Sequence, residues 1–210
     1  MKAVKRRYLL LLFLFLSCPE NDDDAIMLHV YRLHHEAIAR AVIGTDLTVP
    51  YLAALISLES HPPGNSDSAR FEAKIYERLL RAQAGEPYGQ ITARELSGHS
   101  DGELRELATS YGLTQIMGFH CLRLGCSIID LKGPYHLEWA SAWMQRMYGK
   151  HARKKDWTSC FRIHNTGRPN GKTHRADYVE KGLLRMAYYE KWMKHGGDPL
   201  KRWSRQLTGP

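Results

Sequence analysis

Apolar residues recur at helical spacing along most of this chain, and few alternating runs are long enough to form strands. Glycine and proline separate the periodic segments, so we expect several helices of moderate length. With 210 residues, 43% of them hydrophobic, the chain can bury one substantial core. The sequence therefore predicts a mainly helical, single-domain fold. The expected helices cover residues 25–43, 48–61, 69–84, 135–149, 157–164 and 177–195, with shorter ones at 92–95, from 101 and from 120.

The first 18 residues, MKAVKRRYLLLLFLFLSC, combine a basic start with an apolar run that is too short to cross a bilayer comfortably. This pattern predicts an export signal, and we exclude the segment from the fold. LFLSC resembles the bacterial lipobox, which makes Cys18 a candidate for lipidation and for membrane anchoring. An ordinary signal cleaved near Ser17 and a short uncleaved anchor are the alternatives. We expect a periplasmic protein of the bacterial cell envelope, with the acidic run from Glu20 to Asp24 as a solvated tether.

Charge, histidines and cysteines restrict the remaining classes of function. Four positive charges of the first 18 residues account for half of the formal charge of +8, and the other basic residues are scattered along helix faces. No nucleic-acid-binding module is present, so we expect no nucleic-acid partner. The 11 histidines include no HExxH motif or close pair at ligand spacing, so we expect no metal and no cofactor. A Cys121–Cys126 bridge with Cys160 buried in a helix, or three buried reduced thiols, both fit the sequence.

One carboxylate stands out within LAALISLESHPPG, residues 52–64. Leu52, Leu55 and Ile56 mark the buried stripe of a helix, and the next position on that face is Glu59. Apolar walls and the negative end of the helix dipole both favour the protonated form of this side chain. A protonated glutamic acid can donate its proton to a glycosidic oxygen. The alternative is that the register slips at the helix end and Glu59 faces water.

Four short segments follow one another in a characteristic order, namely LESH, YGLTQIM, IHNTGRP and ADYVEKGL. Together they resemble the motifs of the lytic transglycosylases and goose-type lysozymes, and the resemblance extends from about Thr48 to Leu184. It implies a lysozyme-like helical fold with a substrate cleft over residues 47–195. A tether with an N-terminal helix, residues 19–46, would precede this domain, and a tail, residues 196–210, would follow it.

The resemblance also implies roles for individual residues. It implies that Glu59 is the catalytic acid/base and that Ser60 helps to hold the helix end beside the substrate. Contacts with the sugar chain are implied for Tyr111, Gly112, Leu113, Gln115, Ile116, Met117, His164, Asn165, Gly167 and Tyr178. Glycines let the main chain approach a sugar, while Gln and Asn offer a donor and an acceptor. Alternatively, the glycines only form turns and the amides only cap helices. The chain departs from the pattern at Thr114, where Met is usual, and at His164, where Tyr is usual.

A second carboxylate would decide the type of reaction. FEAKIYERLL, residues 71–80, is similar to a segment that flanks the cleft in N-acetylmuramidase relatives, so Glu72 is a candidate; the alternative is an acid on a helix surface. Hydrolysis needs a second group such as Asp67, Glu72 or Asp101. A single acid/base suffices when the muramic 6-hydroxyl attacks and leaves a 1,6-anhydro end, as in the transglycosylases. We expect a lytic transglycosylase that binds peptidoglycan glycan strands; a hydrolytic muramidase and a catalytically silent peptidoglycan-binding lipoprotein are the alternatives.

Overall fold

The computed structural model describes residues 22–60 and 67–196, which form helices and one small sheet. The predicted signal with Cys18, and residues 197–210 of the predicted tail, lie outside the described residues. The helices of this part of the chain are α1 (Asp22–Ala41), α2 (Val49–Glu59), α3 (Ala73–Gln83), α4 (Ala93–Leu96), α5 (Asp101–Leu107), α6 (Cys121–Leu124), α7 (Ile128–Lys132), α8 (His136–Arg153), α9 (Trp157–Thr166) and α10 (Tyr178–Lys194). The strands are β1 (Ala69–Phe71), β2 (Thr109–Tyr111) and β3 (Ile116–Met117), and Gly118–His120 forms a 3₁₀ helix.

Helix α2 lies at the centre of the main core. It packs against α1 and α10, and every residue from Pro50 to Ser57 is buried. Its start is as predicted, because the Thr48 hydroxyl caps the helix by accepting a hydrogen bond from the amide of Tyr51 at 3.4 Å, and Pro50 lies in the first turn. Each fully buried leucine or isoleucine here contributes about 1.5–3 kcal/mol to stability. The end of α2 is therefore held firmly in the protein interior.

The described part of the acidic run, Asp22 to Asp24, is not the solvated tether that we expected, while Glu20 and Asn21 lie outside the described residues. Asp22, Asp23 and Asp24 form the first turn of α1, three residues before the predicted start of the helix. The Asp23 carboxylate accepts a hydrogen bond from Nε of Arg185 at 2.8 Å, and that of Asp24 accepts one from the Trp192 indole at 2.9 Å. Acidic side chains also interact favourably with the N-terminal end of the helix dipole. These contacts tie α1 to α10.

A second, smaller hydrophobic cluster is formed mainly by α3, α4 and α5, and the sheet has the antiparallel order β1–β2–β3. The predicted helix at 69–84 is wrong at its start, because Ala69–Phe71 is a strand and α3 begins only at Ala73. Phe71 is 42% exposed, whereas Leu79 is fully buried. The cause is non-local: Arg70 pairs with Ser110 of β2, a partner that local spacing does not reveal.

Helix α8 packs one apolar face against the core. Leu137, Ala140 and Met144 are buried in the core, but Met147 is 46% exposed. The helix also bends, because Tyr148 has the non-helical angles φ −144° and ψ 18°. None of the helices in the described residues has the combination of length and apolar character that a membrane crossing needs.

Candidate active site

Glu59 is the last residue of α2, and its carboxylate is largely shielded from solvent. The Ser60 hydroxyl and amide both donate hydrogen bonds to the Ile56 carbonyl, at 2.8 and 3.0 Å, and so hold the end of the helix. The Glu59 side chain is only 16% exposed, so it does not extend into open water. Glu59 thus presents an acid at the surface of the core, at the end of the best-buried helix.

Tyr178, the first residue of α10, contacts the catalytic candidate directly. Its phenol hydroxyl donates a hydrogen bond to Oε1 of Glu59. Burial, and then the neighbouring Glu59 carboxyl, raise the pKa of the Tyr178 phenol well above its ordinary value. The phenol therefore keeps its proton at neutral pH and remains a donor toward Glu59.

His164 of α9 completes the immediate surroundings of Glu59. Its Nε2 lies 3.9 Å from Glu59 Oε1 and 3.1 Å from the carbonyl oxygen of Thr114. Its Nδ1 lies 3.2 Å from the hydroxyl of Tyr148, which in turn accepts a hydrogen bond from the hydroxyl of Tyr51 at 3.0 Å. Tyr148 must then donate to Nδ1, so Nε2 carries the hydrogen and donates to the carbonyl. Burial lowers the pKa of His164, which favours this neutral form.

The backbone of α8 and α9 accounts for the position of this imidazole. The bend at Tyr148 turns that residue toward the interior, where its ring is fully buried. Helix α9 begins at Asp156, which accepts a hydrogen bond from the Ser159 amide at 3.1 Å. It ends at Gly167, whose φ of +76° suits glycine. His164 consequently lies in the last turn of α9, next to the end of α2.

Gln115 lies in the turn between β2 and β3, with a left-handed φ of +51°. Its Oε1 accepts a hydrogen bond from the Ser110 hydroxyl at 2.8 Å, and its Nε2 donates to the carbonyl of Gly112 at 2.8 Å and to the Ser68 hydroxyl at 3.1 Å. Gly112 also has a positive φ of +71°, and a Cβ atom there would lie 2.9 Å from the His136 ring. The Gln115 amide therefore stabilises the hairpin by donating both of its hydrogens in hydrogen bonds.

The second and third motifs meet at one groove. Its volume is about 560 Å³. The predicted site residues that line this groove are Gln115, Ile116, Met117, His164, Asn165 and Gly167. It adjoins a larger groove of about 1020 Å³, and the two share walls formed by Tyr88, Phe119, His120, Trp143, Met147, Thr166 and Gly167. Glu59 is not among the lining residues, but His164, which lines the groove, has its Nε2 3.9 Å from Glu59 Oε1.

The chain is similar in fold to a phage endolysin. The matching structure is the crystal structure of the Burkholderia AP3 phage endolysin, with a TM-score of 0.53 and 20% sequence identity. The match covers 76% of this chain and 71% of that one. No protein-family model and no curated protein matches the sequence. The expectation of a mainly helical, lysozyme-like fold is thereby confirmed.

Several predicted site residues lie away from the groove walls. Tyr111 and Leu113 are buried, and the Tyr111 hydroxyl donates to the carbonyl of Glu106 at 3.0 Å. Glu72 is not on a helix surface, because it lies between β1 and α3, where its carboxylate pairs with Arg70 at 2.7 Å. In the described part of the chain, no hydrogen bond or ion pair joins Glu72 to Glu59.

The sequence analysis missed a buried arginine that supports the end of α2. Nη1 of Arg185 donates hydrogen bonds to the carbonyl and the hydroxyl of Ser57, at 2.7 and 3.1 Å. Arg185 is 7% exposed and also pairs with Asp23. Arg185 follows Tyr178 by seven residues, so both lie on the buried face of α10. This spacing in the sequence could have identified Arg185 as a buried residue. Arg185 thus links three helices beside Glu59.

Neither the thiols nor the histidines form a metal centre within residues 22–60 and 67–196, where no group of three or more ligands is suitably placed.

Cys121, Cys126 and Cys160 are free thiols, and the Cys126 thiol donates to the Cys121 sulfur at 2.9 Å. Cys160 is fully buried in α9, as both sequence interpretations expected, while the free Cys126 thiol is only half-buried. Burial raises the pKa of Cys160 to about 12. This thiol is therefore protonated at neutral pH.

Proposed function

We propose that this protein is a peptidoglycan lytic transglycosylase that cleaves the MurNAc–GlcNAc bond with Glu59 as its general acid/base. One observation carries the proposal: a shielded glutamate accepts a hydrogen bond from Tyr178 and lies 3.9 Å from His164, which lines a groove with other residues of the second and third sequence motifs. The likeness in fold to a protein named a phage endolysin supports the same class of substrate. Membership of the transglycosylase family is part of this proposal.

The contacts around Glu59 assign different roles to its two carboxylate oxygens. Tyr178 donates to Oε1, and His164 also lies on the Oε1 side, whereas no contact at Oε2 occurs among the described residues. Oε2 would therefore carry the proton and deliver it to the glycosidic oxygen as the bond to C1 of MurNAc breaks. The hydrogen bond from Tyr178 then stabilises the carboxylate that remains.

The second half of the reaction needs a base and a nucleophile. The Glu59 carboxylate takes the proton of the muramic 6-hydroxyl, whose oxygen attacks C1 and closes the 1,6-anhydro ring. Glu59 is thereby protonated again, and no water is consumed. The neutral His164 does not compete for the proton, since burial lowers its pKa. No metal or organic cofactor enters these steps.

The ion pairs of two other candidate carboxylates, Glu72 and Asp101, support this reaction over hydrolysis. None of the described residues that line the two grooves is an aspartate or a glutamate. Glu72 pairs with Arg70 and Asp101 with Arg105, so neither is positioned by a contact to activate water beside Glu59. A hydrolytic muramidase remains the second candidate, because the chain carries the FEAKIYERLL segment. The chemical form of the product ends distinguishes the two reactions.

The decisive experiment compares the full chain with two isosteric variants on purified peptidoglycan sacculi. Glu59→Gln retains the shape of the side chain but removes the acid, so we expect release of soluble muropeptides to fall at least about 100-fold. Glu190→Gln, an exposed position on α10, makes the same change of charge and should retain parental activity. Equal release by the parent and Glu59→Gln would exclude Glu59 as the acid. Retention on sacculi with no release by the parent would instead indicate a silent binding protein.

We also propose export to the periplasm through residues 1–18, with lipidation at Cys18 as the means of anchoring. The support is the order of basic, apolar and small residues in this segment. Radiolabelled palmitate incorporated by the parent and lost in Cys18→Ser is the expected result. Equal labelling of both proteins would exclude Cys18 as the acceptor.

A further inference from the structure

The walls of the two adjoining grooves carry positive charge without any negative charge in the described part of the chain. The cationic side chains that line them are Arg78, Arg123, Arg146, Arg168 and Lys172. We call these residues the cationic wall. They come from α3, α6, α8 and the loop after α9, so the fold gathers them from distant parts of the sequence. A ligand of this groove would meet a positive field.

Most of the cationic wall is not neutralised by carboxylates of the protein. Arg123 is the exception, because it pairs with Glu95 at 2.9 Å. Arg78 lies over the ring of Tyr88, 5.3 Å from its centroid, and Nη1 of Arg146 donates to the carbonyl of Arg123 at 2.5 Å. Within residues 22–60 and 67–196, no ion pair involves Arg78, Arg146, Arg168 or Lys172. Guanidinium groups without carboxylate partners favour an anionic ligand.

Aromatic rings stand among these cations. The ring centroids of Phe119 and His120 are 4.2 Å apart, and those of His120 and Trp143 are 4.7 Å apart. His120 adds no charge, because burial lowers its pKa to about 3. Ring faces provide apolar contact for the carbon skeleton of a ligand, and the guanidinium groups provide contacts for its acids. The groove therefore suits a ligand that is part apolar or carbohydrate and part polyanionic.

We infer that the cationic wall binds the carboxylates of the peptide stems attached to MurNAc, so that the protein prefers glycan strands that still carry their peptides. This inference rests on the proposed function and specifies its substrate. A strand freed of its peptides keeps one lactyl carboxylate on each MurNAc, whereas a peptide stem replaces that single group with more than one carboxylate. A peptide stem offers carboxylates close to the glycan. Such contacts between charged groups weaken as salt is added.

The cleavage test uses full-chain protein, intact sacculi, and glycan strands freed of peptides by an amidase. We expect the parent to cleave peptide-bearing strands about tenfold faster than bare ones, which is the effect of one or two charge-assisted contacts. Arg146→Gln combined with Arg168→Gln should reduce this ratio toward one. Lys154→Gln combined with Lys194→Gln removes the same charge from exposed positions outside the groove and should leave the ratio unchanged. An equal ratio in the parent and the arginine variant would overturn the inference while leaving the proposed function intact.

A binding measurement separates this inference from failure of the proposed function. Calorimetric titration of Glu59→Gln compares the disaccharide tetrapeptide with the same disaccharide without peptide. The inference predicts about tenfold tighter binding of the peptide-bearing ligand. This difference should shrink in raised salt and in the doubly substituted arginine variant. Equal affinity for both ligands would contradict the inference whether or not the parent cleaves peptidoglycan.

Discussion

The hydroxyl of Tyr178, at the start of α10, donates a hydrogen bond to the carboxylate of Glu59, at the end of α2. These residues are 119 positions apart in the chain, so only the packing of α10 on α2 brings them together. Arg185 of α10 strengthens the same junction by donating to the carbonyl of Ser57. The junction aligns a donor that stays protonated with the candidate acid.

Replacing Tyr178 by Phe tests this relationship with the loss of a single oxygen. We expect kcat on sacculi to fall about 10- to 100-fold, because a hydrogen bond to a charged group is worth about 1.5–3 kcal/mol. KM should change little if the phenol acts through its hydrogen bond to Glu59, whereas a contact with the sugar, which the sequence motifs implied, would raise KM. Initial rates of muropeptide release over a range of sacculus concentrations separate the two parameters.

Tyr189→Phe is the matched control for this variant. Tyr189 lies on the same helix, and its hydroxyl is 3.0 Å from Nδ1 of His35, at the junction between α1 and α10. Its replacement should lower thermal stability but leave kcat unchanged. A similar loss of kcat in both variants would indicate a general loosening of α10 instead of a role for the Tyr178 hydroxyl.

His164 should tolerate an amide better than an apolar side chain. The neutral imidazole accepts from Tyr148 and donates to the carbonyl of Thr114, and a glutamine can do both. We therefore expect His164→Gln to retain most of its stability. His164→Leu should lose about 1–3 kcal/mol for each buried polar group left without a partner. Urea denaturation measures both, and equal losses would contradict the hydrogen-bonded arrangement.

Acid should destabilise the protein through its buried neutral histidines. His120 has its pKa lowered from 6.5 to about 3 in the folded protein, so below pH 6.5 the unfolded chain binds a proton that the folded one does not. The free energy of unfolding should then fall by about 1.4 kcal/mol for each pH unit and each such histidine. Above pH 6.5 this contribution is constant. Denaturation curves between pH 7 and 4 compare the parent with His120→Gln. The free energy of unfolding should fall less steeply in the variant, by about the contribution of one histidine. Parallel falls in the two proteins would contradict a neutral His120.

The position of Glu59 was predictable from its sequence, but for a reason that was only partly correct. The spacing of Leu52, Leu55 and Ile56 predicted one buried stripe, whereas α2 is buried on all its sides. Glu59 is therefore shielded because its whole helix lies in the core. The ordered motifs implied contacts with the sugar chain for Tyr178 and His164. In the structure Tyr178 contacts Glu59, and Nε2 of His164 lies 3.9 Å from it.

Features that depend on distant partners were not predictable in the same way. Strand β1 depends on pairing with β2, and the spacing of residues 69–84 alone indicated a helix. Asp23 looked like part of a tether because its partner, Arg185, is 162 positions away. Gln115 was expected to contact sugar, but its amide forms hydrogen bonds within the hairpin and to Ser68. The local sequence pattern shows which residues are polar, but the hydrogen-bond partners of these residues depend on the tertiary fold.

The turn that carries Gln115 should be intolerant of a side chain at Gly112. Alanine there would adopt an unfavourable positive φ and would place its Cβ 2.9 Å from the His136 ring. Gly125 has a similar φ of +73° but open space around it, so Gly125→Ala isolates the conformational cost, about 1–2 kcal/mol. We expect Gly112→Ala to cost about 1–3 kcal/mol more because of overpacking. Equal losses of unfolding free energy in the two variants would show that the close contact with His136 is unimportant.

The most direct test of the account is the chemical form of the ends that the full chain produces on purified sacculi in ¹⁸O-labelled water, read by mass spectrometry. Cleavage by Glu59 with attack of the muramic 6-hydroxyl predicts 1,6-anhydro ends, which are lighter by one water than reducing ends and carry no ¹⁸O. Reducing MurNAc ends that each contain one ¹⁸O atom would contradict the account, because they require a water molecule activated by a second group.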